Sequence, residues 1–573
     1  MKNIIMKKKF YLYSLLGLLL FSCNDGFLDR PPLDELTDDN YWQTEQHVKN
    51  AANACYPGFI GKDVVNMDCM GEDAIWYQDA SWRTISSGNY GSSLGSLNTM
   101  WNDRYKHIRY CNYFLENYQR AVTVSEEAKE RYASEVKVIR AHQYWLLLSC
   151  FGDMPFVTKT LTVTSPELYA PRTDKYASVD WLLEDLEACY KALPESIEPN
   201  SKEFGRITQA AALTMKARLA LQFADAQHPK YWEIAEEAAK RVIDMGKYSI
   251  YKTGNPSKDY ENLFNFTGRA SRNSTNKETI LAYVYNYDNN STSKLIHNLS
   301  RECHVPDQQA RFMPSKAFCD SYLCIDGKRF GVSELSDSST YAAYFENRDP
   351  RMKQTILSPG YTPYYGGRDG RDLSTIDNVF MTPRFNNDKK GSVSGTGFYC
   401  VKYVEPTKVP LYNTDDNDII LMRYAEVLLI YAEAMFEQGK LTQTVVDETI
   451  NQLRGRVGMH PMVLSELAAW GMDVREELHR ERRVELFMEG FRWFDIVRWK
   501  EGWRLGEPIK GINKSWIHAS QKEYIESYAT DTYGFLILDS RRQFIDPKNY
   551  LLCLPQQQME RNPNLRPNNP GWD

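Results

Sequence analysis

The chain has 573 residues, and its 75 acidic side chains outnumber its 69 lysines and arginines, giving a formal net charge of −6. A mildly acidic chain without a clustered basic face lacks the electrostatic footprint of a nucleic-acid-binding protein, so that class is excluded. Aromatic residues make up 13% of the sequence, with 37 Tyr and 13 Trp. This content indicates that some of the rings serve recognition as well as packing.

The first 22 residues have the pattern of a secretory signal peptide. Four lysines precede an apolar run over residues 10–21, which is shorter than the about 20 residues that cross a membrane. The run ends Leu20-Phe21-Ser22-Cys23, which is similar to the lipobox where bacterial lipoproteins are cleaved and lipidated. We expect removal of residues 1–22, a lipid on Cys23 and a polar tether over residues 23–35. The alternative is an ordinary signal peptide with an incidental cysteine.

Helical patterns dominate the region of residues 36–246. Ser125 is a candidate N-cap followed by acidic residues, and this helix is predicted to end at Cys150, before the Phe-Gly-Asp-Met-Pro sequence at 151–155. Further helices are predicted over residues 178–193, 206–224 and 231–245, with alanines on the faces that meet. Paired helices with short turns predict a mainly α fold built on a degenerate tetratricopeptide-like scaffold.

Residues 247–417 differ from the rest of the chain. Gly, Pro, Asn, Asp and Tyr become frequent, and residues 279–287 are the best strand candidate. Long irregular tracts are often functional, so we expect a large loop-rich ligand-binding face here. Helical patterns return over residues 418–437 and 473–499 in a C-terminal region of residues 418–573. We expect residues 36–573 to form one compact unit.

Several segments resemble, in the same order, the SusD/RagB family of outer-membrane nutrient-binding lipoproteins. They include FLDRPPLDELTDDNYW (27–42), RAHQYWLLLSCFGDMPFVT (140–158) and, most specifically, ERRVELFMEGFRWFDIVRW (481–499). The resemblance covers essentially the whole chain after Cys23. It implies a tetratricopeptide-like scaffold with an irregular binding face, anchored to the outer membrane through the lipid. It also implies a partner, a SusC-like TonB-dependent outer-membrane transporter that the protein covers like a lid.

Ligand-binding residues are sought in the loops. A glycan site needs exposed aromatic rings for the apolar faces of sugars, beside polar groups that bond to hydroxyls. Such residues occur in the loop-like segment 71–90, in the predicted strand, where alternate tyrosines share one face, and in a Gly/Pro-rich loop near residue 364. The candidates are Trp76, Tyr77, Trp82, Arg83, Asn89, Tyr283, Tyr285, Tyr287 and Tyr364. For each group, the alternative is that the rings pack inside the scaffold.

One cluster of charged residues is expected to be structural. Arg482, Arg483, Glu485, Glu489 and Arg492 are spaced as i, i+3 and i, i+4 neighbours on a predicted helix. Such spacing favours ion pairs along the helix surface.

The sequence predicts a binding protein and no enzyme. It contains no metalloprotease H-E-x-x-H, no P-loop and no dinucleotide-binding G-x-G-x-x-G. No cofactor is predicted, and a structural Ca²⁺ is left open. The ten cysteines after Cys23 include no C-x-x-C pair, and their pairing, including a bond between Cys319 and Cys324, also stays open.

The predicted function is capture of glycans at the cell surface and their delivery to the transporter partner. Two alternatives remain at this point. One is capture of peptides or glycopeptides, and the other is a mainly structural lid that gates the transporter.

Overall fold

The computed structural model describes residues 41–78, 81–265, 272–286, 295–305, 308–362, 379–386, 392–409 and 411–572. Within these ranges the chain is mainly helical, and its short strands form no closed sheet. The predicted mainly α fold class, with helical pairs and a loop-rich part, is confirmed. None of the described helices is long and apolar enough to cross a membrane.

The first half of the chain forms the helical scaffold. Its helices are α1 (Glu45–Asn53), α2 (Asp63–Asn66), α3 (Ser81–Ser86), α4 (Gly95–Asn117), α5 (Glu126–Phe151), α6 (Lys175–Cys189), α7 (Gln209–Phe223), α8 (Lys230–Asp244) and α9 (Asp259–Phe264). Each of α4 to α7 packs against the helix that follows it. This sequential packing is the arrangement expected of helical pairs.

Helix α5 begins where its local sequence predicts and ends at Phe151, one residue later than predicted. The Ser125 side chain accepts a hydrogen bond from the Ala128 amide, and acidic residues occupy the first turn. At the other end, Gly152 has a φ of +70°. A Cβ atom there would lie 2.9 Å from Leu551 Cδ1, so both the conformation and the close packing require glycine.

The second half combines short helices with three two-stranded antiparallel sheets. The helices are α10 (Leu299–Cys303), α11 (Lys316–Asp320), α12 (Arg351–Thr355), α13 (Tyr424–Glu437), α14 (Gln443–Glu448), α15 (Ile450–Val457), α16 (Leu464–Ala469), α17 (Val474–Leu486), α18 (Arg492–Arg498), α19 (Trp503–Gly506) and α20 (Gln556–Arg561). The paired strands are β1 (Ala74–Trp76) with β3 (Phe312–Pro314), β2 (Thr279–Tyr283) with β4 (Ile419–Arg423), and β5 (Ile509–Asn513) with β6 (Phe535–Asp539).

The predicted helix over residues 418–437 starts later than expected. Its first residues form β4, and α13 begins at Tyr424. The reason lies at Arg423, whose fully buried guanidinium contacts the carboxylates of Glu278 at 2.8 Å and Glu489 at 2.8 Å. These contacts come from distant parts of the chain, and the local apolar period does not reveal them.

The predicted helix over residues 473–499 is divided into α17 and α18. Met488 and Gly490 between them have φ values of +65° and +79°. A Cβ atom at Gly490 would lie 2.8 Å from the Val64 carbonyl oxygen. The close approach of α2 therefore interrupts the helix.

The charged residues of this segment are structural, but they do not pair along one helix surface as expected. Each is buried or nearly so and binds a partner outside its own helix, because a helix covered on several sides must find its counter-charges on the elements that pack against it. The pairs are Arg482–Asp495, Arg483–Asp73, Glu485–Arg456, Glu489–Arg423 and Arg492–Glu72.

Two large apolar clusters form the core. One lies mainly among α1 and α4–α8, and the other joins the loop-rich part to α13–α18. Trp82, Tyr283 and Tyr424 contact both clusters. The division of the chain into regions stays a prediction.

The ten cysteines in the described ranges are all buried and free. Cys319 and Cys324 are among them, so no disulfide joins this pair in the structure. Burial raises the pKa of several of these thiols, including Cys319 and Cys150, which disfavours the reactive thiolate.

Candidate functional site

The segment that carries the first aromatic candidates is anchored by two buried carboxylates. Glu72 forms an ion pair with Arg492, and Asp73 forms one with Arg483. Burial alone would raise the pKa of Glu72, but the guanidinium groups of Arg492 and Arg483 outweigh it and hold this pKa below its usual range. The carboxylate therefore stays charged at neutral pH and fixes the start of β1.

Tyr77 follows directly after β1 and is the most exposed of the described aromatic candidates. Its side chain is 42% exposed. Its backbone N–H donates to the Arg311 carbonyl oxygen at 2.8 Å, which extends the pairing of β1 with β3 by one residue. The Arg311 guanidinium lies 5.9 Å from the centre of the Tyr77 ring. An exposed ring beside a cationic hydrogen-bond donor is the combination expected of a glycan site.

A second tyrosine, Tyr528, interacts electrostatically with Tyr77. Burial, and to a smaller extent the neighbouring Tyr77, raises the pKa of Tyr528. Tyr528 is half-buried and packs edge-on against Phe385, with ring centres 6.3 Å apart. We call the group of Trp76, Tyr77, Arg311 and Tyr528 the Tyr77 site.

Sequence reasoning missed Arg311 and Tyr528. Both lie more than 200 residues from Tyr77 along the chain. Only the pairing of β1 with β3 brings Arg311 beside the ring, and the short apolar β3 segment gives no clear strand signal. No local signal could have found them.

Arg83 and Asn89 lie beside the Tyr77 site, with their polar groups engaged by the protein. The Arg83 Nη1 atom donates to the Tyr77 carbonyl oxygen at 3.0 Å, and its Nε atom donates to Asp539 at 3.1 Å. The Asn89 amide donates to the Arg541 carbonyl oxygen at 2.6 Å. Arg83 therefore positions the Tyr77 backbone.

Trp76 and Trp82 are half-buried, in different surroundings. Trp76 ends β1 and packs against the core cluster of the loop-rich part. Trp82, on α3, lines a cavity of about 460 Å³ together with Met67, Met100 and Arg104. The described walls of that cavity include neither Trp76 nor Tyr77.

The tyrosines at the end of β2 lie close together, as their alternation predicts. The ring centres of Tyr283 and Tyr285 are 5.2 Å apart. Tyr285 is only 5% exposed, and its hydroxyl accepts a hydrogen bond from the Lys62 amide at 2.8 Å. Tyr283 is half-buried. Tyr285 thus fixes the turn at Gly61. Of the two tyrosines, only Tyr283 has substantial exposed surface.

A series of hydrogen bonds and one ion pair connects these tyrosines to the Tyr77 site. Lys62, whose amide binds Tyr285, forms an ion pair with Glu302 at 2.6 Å. The Glu302 carbonyl oxygen accepts a hydrogen bond from the Arg311 amide at 2.7 Å. The structure therefore links residues from segments 60–77, 283–285 and 302–311. Tyr287, Tyr364 and Cys23 lie outside the described residues.

Catalytic arrangements find no support in the described parts of the chain. No group of three or more His, Cys, Asp or Glu side chains there is placed to hold a metal ion. Residues 91–95 (GSSLG) match the G-x-S-x-G pattern of hydrolase nucleophiles, which requires a preceding strand. The preceding element is α3, so the pattern lacks that context.

Family profiles match most of the sequence. Residues 277–572 match the profile of the SusD family, and residues 27–221 match one described as starch-binding associating with outer membrane. The chain belongs to the SusD family.

Individual relatives agree with this assignment. SusD-like protein P2 of Formosa agariphila is 24% identical over 599 residues, covering 99% of this chain and 100% of that protein. The starch-binding protein SusD of Bacteroides thetaiotaomicron is 26% identical over 407 residues, covering 68% of this chain and 67% of that one. The crystal structure of a SusD-like carbohydrate-binding protein from Bacteroides fragilis matches with a TM-score of 0.74 and 25% identity, over 92% of this chain and 100% of that chain.

Proposed function

We propose that this protein captures glycans at the outer membrane and leaves them chemically unchanged. The observation that carries the proposal is the exposed Tyr77 ring, held beside Arg311 on a segment with buried ionic anchors. Relatives named for starch and carbohydrate binding support a saccharide as the ligand class.

The site binds by stacking and hydrogen bonding. The Tyr77 ring takes the apolar face of a sugar, while Arg311 and the exposed Gln78 bond to hydroxyl groups. Each aromatic contact contributes about 0.5–1.5 kcal/mol, so a few rings give affinities of roughly millimolar to micromolar. Repeated units along a polysaccharide raise the effective concentration. Tyr283 extends this surface, and Tyr287 and Tyr364 stay predictions as further contacts.

Affinity electrophoresis of residues 24–573 against a panel of soluble polysaccharides tests the proposal. Tyr77→Ala is expected to weaken retardation by the bound polysaccharide about two- to tenfold in dissociation constant, which corresponds to the loss of one aromatic contact. Trp503→Ala is the control, since Trp503 is 60% exposed on α19 and belongs to neither the Tyr77 site nor the wall of the cavity beside α4.

Three other outcomes would revise the proposal. If the Tyr77→Ala variant and the control variant are retarded equally, glycan capture stands and the binding site lies elsewhere than Tyr77. Retardation by no polysaccharide, with binding of peptides, would replace glycans by peptides as the ligand. Cleavage of a bound polysaccharide on long incubation would contradict binding without chemistry.

The captured glycan passes to a SusC-like TonB-dependent transporter, and a lipid on Cys23 holds the protein at the outer membrane. Membership of the SusD family and the lipoprotein-like sequence of residues 1–23 support this part of the proposal. Cys23→Ala is expected to move the protein from the membrane fraction to the soluble fraction. Failure of the tagged protein to co-isolate with any TonB-dependent transporter from its native membranes would contradict the partnership.

A further inference from the structure

A second cavity lies apart from the Tyr77 site. It has a volume of about 580 Å³ and is enclosed by α4, the segment over residues 155–169 and α20. This volume falls in the range of about 300–1,000 Å³ typical of small-molecule sites. Trp101, Ile108 and Val157 form apolar parts of its wall. We call it the α4 groove.

Side chains of α4 hold in place the wall of the groove that residues 155–159 form. The Tyr105 hydroxyl donates to the Pro155 carbonyl oxygen at 2.6 Å. The buried Asn112 amide donates to the carbonyl oxygens of Val157 at 3.0 Å and Lys159 at 3.1 Å. Three backbone carbonyls of the wall are thus held by side chains of α4.

The far end of the wall is fixed by the C-terminal segment. Asn562 donates to the Ala170 carbonyl oxygen at 2.8 Å, and Asn564 donates to the Tyr169 carbonyl oxygen at 2.8 Å. Because both ends are held, the groove is preformed. The Tyr169 side chain at its edge remains 58% exposed.

The rim of the groove carries two free positive charges. Arg109 and Arg561 line it and are exposed, and neither guanidinium group forms a hydrogen bond or ion pair with any described part of the chain. A third cation, Lys159, is paired with Glu167 at 2.6 Å. The groove is therefore locally positive on a chain whose net charge is −6.

We propose that the α4 groove is a second ligand site, for an acidic sugar residue of a charged oligosaccharide. Its carboxylate or sulfate group binds Arg109 and Arg561, since guanidinium groups bind such oxyanions through paired hydrogen bonds. Its apolar face packs against Tyr169. This proposal goes beyond the Tyr77 site and does not depend on it.

Isothermal titration calorimetry of residues 24–573 at low ionic strength tests this site. Tetragalacturonate supplies carboxylates, a chondroitin sulfate tetrasaccharide supplies sulfates as well, and neutral β-1,4-galactotetraose is the uncharged probe. At least one acidic probe is expected to bind in the groove. The double variant Arg109→Gln/Arg561→Gln is expected to weaken that binding at least about tenfold, which corresponds to 1.4 kcal/mol.

A matched control separates contact from overall charge. Lys202→Gln/Lys252→Gln removes the same two charges from exposed positions outside the groove, and it should retain the affinity for the acidic probe. Tyr77→Ala should also retain it, so failure of this proposal can be told apart from failure of glycan capture at the Tyr77 site. Because Arg109 and Arg561 make no described contacts, the double variant should unfold at nearly the wild-type temperature.

Two results would overturn the assignment. One is that neither acidic tetrasaccharide binds to the folded protein. The other is unchanged affinity in the double arginine variant. Weaker binding of the acidic probe to that variant alone would support the groove, and binding of the chondroitin sulfate probe without tetragalacturonate would favour sulfate as the recognised group.

Discussion

Glu485 accepts hydrogen bonds from three buried arginines. Its carboxylate oxygens contact Arg423 at 2.6 Å and Arg351 at 2.9 Å, and they also contact Arg456. All four side chains are at most 1% exposed. The neighbouring arginines outweigh burial and hold the pKa of Glu485 well below its usual range. Glu485 is therefore shared by three arginines within a buried network that also contains the carboxylates of Asp349, Glu481, Glu278 and Glu489.

Glu485→Gln is expected to lower the free energy of unfolding by about 3–5 kcal/mol, because it removes the charge of a buried carboxylate that three buried guanidinium groups share. Urea denaturation measures the loss. The control is Glu476→Gln, which breaks an exposed 2.6 Å ion pair with Arg329 and should cost less than about 1 kcal/mol. Equal losses in the two variants would contradict the argument.

For single residues, the sequence predicted which side chains lie close together better than it predicted which side chains are buried. The alternation of Tyr283 and Tyr285 correctly indicated that their rings lie close together. It could not indicate that Tyr285 is covered, because the covering turn at Gly61 and Lys62 lies more than 200 residues away. The same limit applies to Arg311 beside Tyr77. Which rings face solvent depends on long-range packing, which a local pattern does not encode.

Among the elements, the break between α17 and α18 depends on Gly490. This residue has a φ of +79° and allows the Val64 backbone to approach. Because Arg492, just beyond the break, holds Glu72, the break also sets the position of β1.

Gly490→Ala is expected to destabilise the protein by about 2–4 kcal/mol, the sum of a left-handed backbone penalty and a steric clash. Gly439→Ala provides the control: Gly439 has a φ of +68°, but a Cβ atom there would meet nothing within 4 Å. That variant should lose only the stability that corresponds to the left-handed backbone penalty, about 1–2 kcal/mol. Thermal unfolding measures both, and an equal loss would show that the Val64 contact relaxes.

Elements whose ends are set locally were predicted well, and those set by distant contacts were not. Helix α5 has its own cap at Ser125 and its own terminator at Gly152, so its sequence was sufficient. Residues 419–423 were assigned to a helix because the apolar spacing continues through them. Pairing with β2 and the burial of Arg423 make them a strand.

For the whole molecule, buried carboxylates make stability depend on pH. Burial would raise the pKa of Glu433, but Arg498 outweighs it and lowers this pKa to about 2. Arg351 and Arg454 act in the same way on Glu481 and lower its pKa to about 2. Because these folded-state values lie below the unfolded value of about 4.3, the stabilisation is present above pH about 4.3. It is lost as the pH falls toward 2.

The free energy of unfolding is therefore expected to fall steeply between pH about 4.3 and 2, and Glu433 contributes up to about 3 kcal/mol of that fall. Denaturant titrations at several pH values measure it. Glu433→Gln should be less stable at pH 7 and should show a shallower fall. A parallel fall in both proteins would remove Glu433 as a source of the pH dependence.

The anchoring of β1 also constrains the order in which a newly made chain can acquire its binding surface. The partners of Glu72 and Asp73 lie 420 and 410 residues later in the chain. Until residue 483 has been synthesised, neither carboxylate has its counter-charge, and Glu72 gains its second partner only at Arg492. The segment that carries Tyr77 cannot take its final position before then. A chain interrupted before α17 would carry every residue of the scaffold helices α1–α8 and still lack a formed Tyr77 site. Under the proposed function, ligand capture at the Tyr77 site would require nearly full-length molecules.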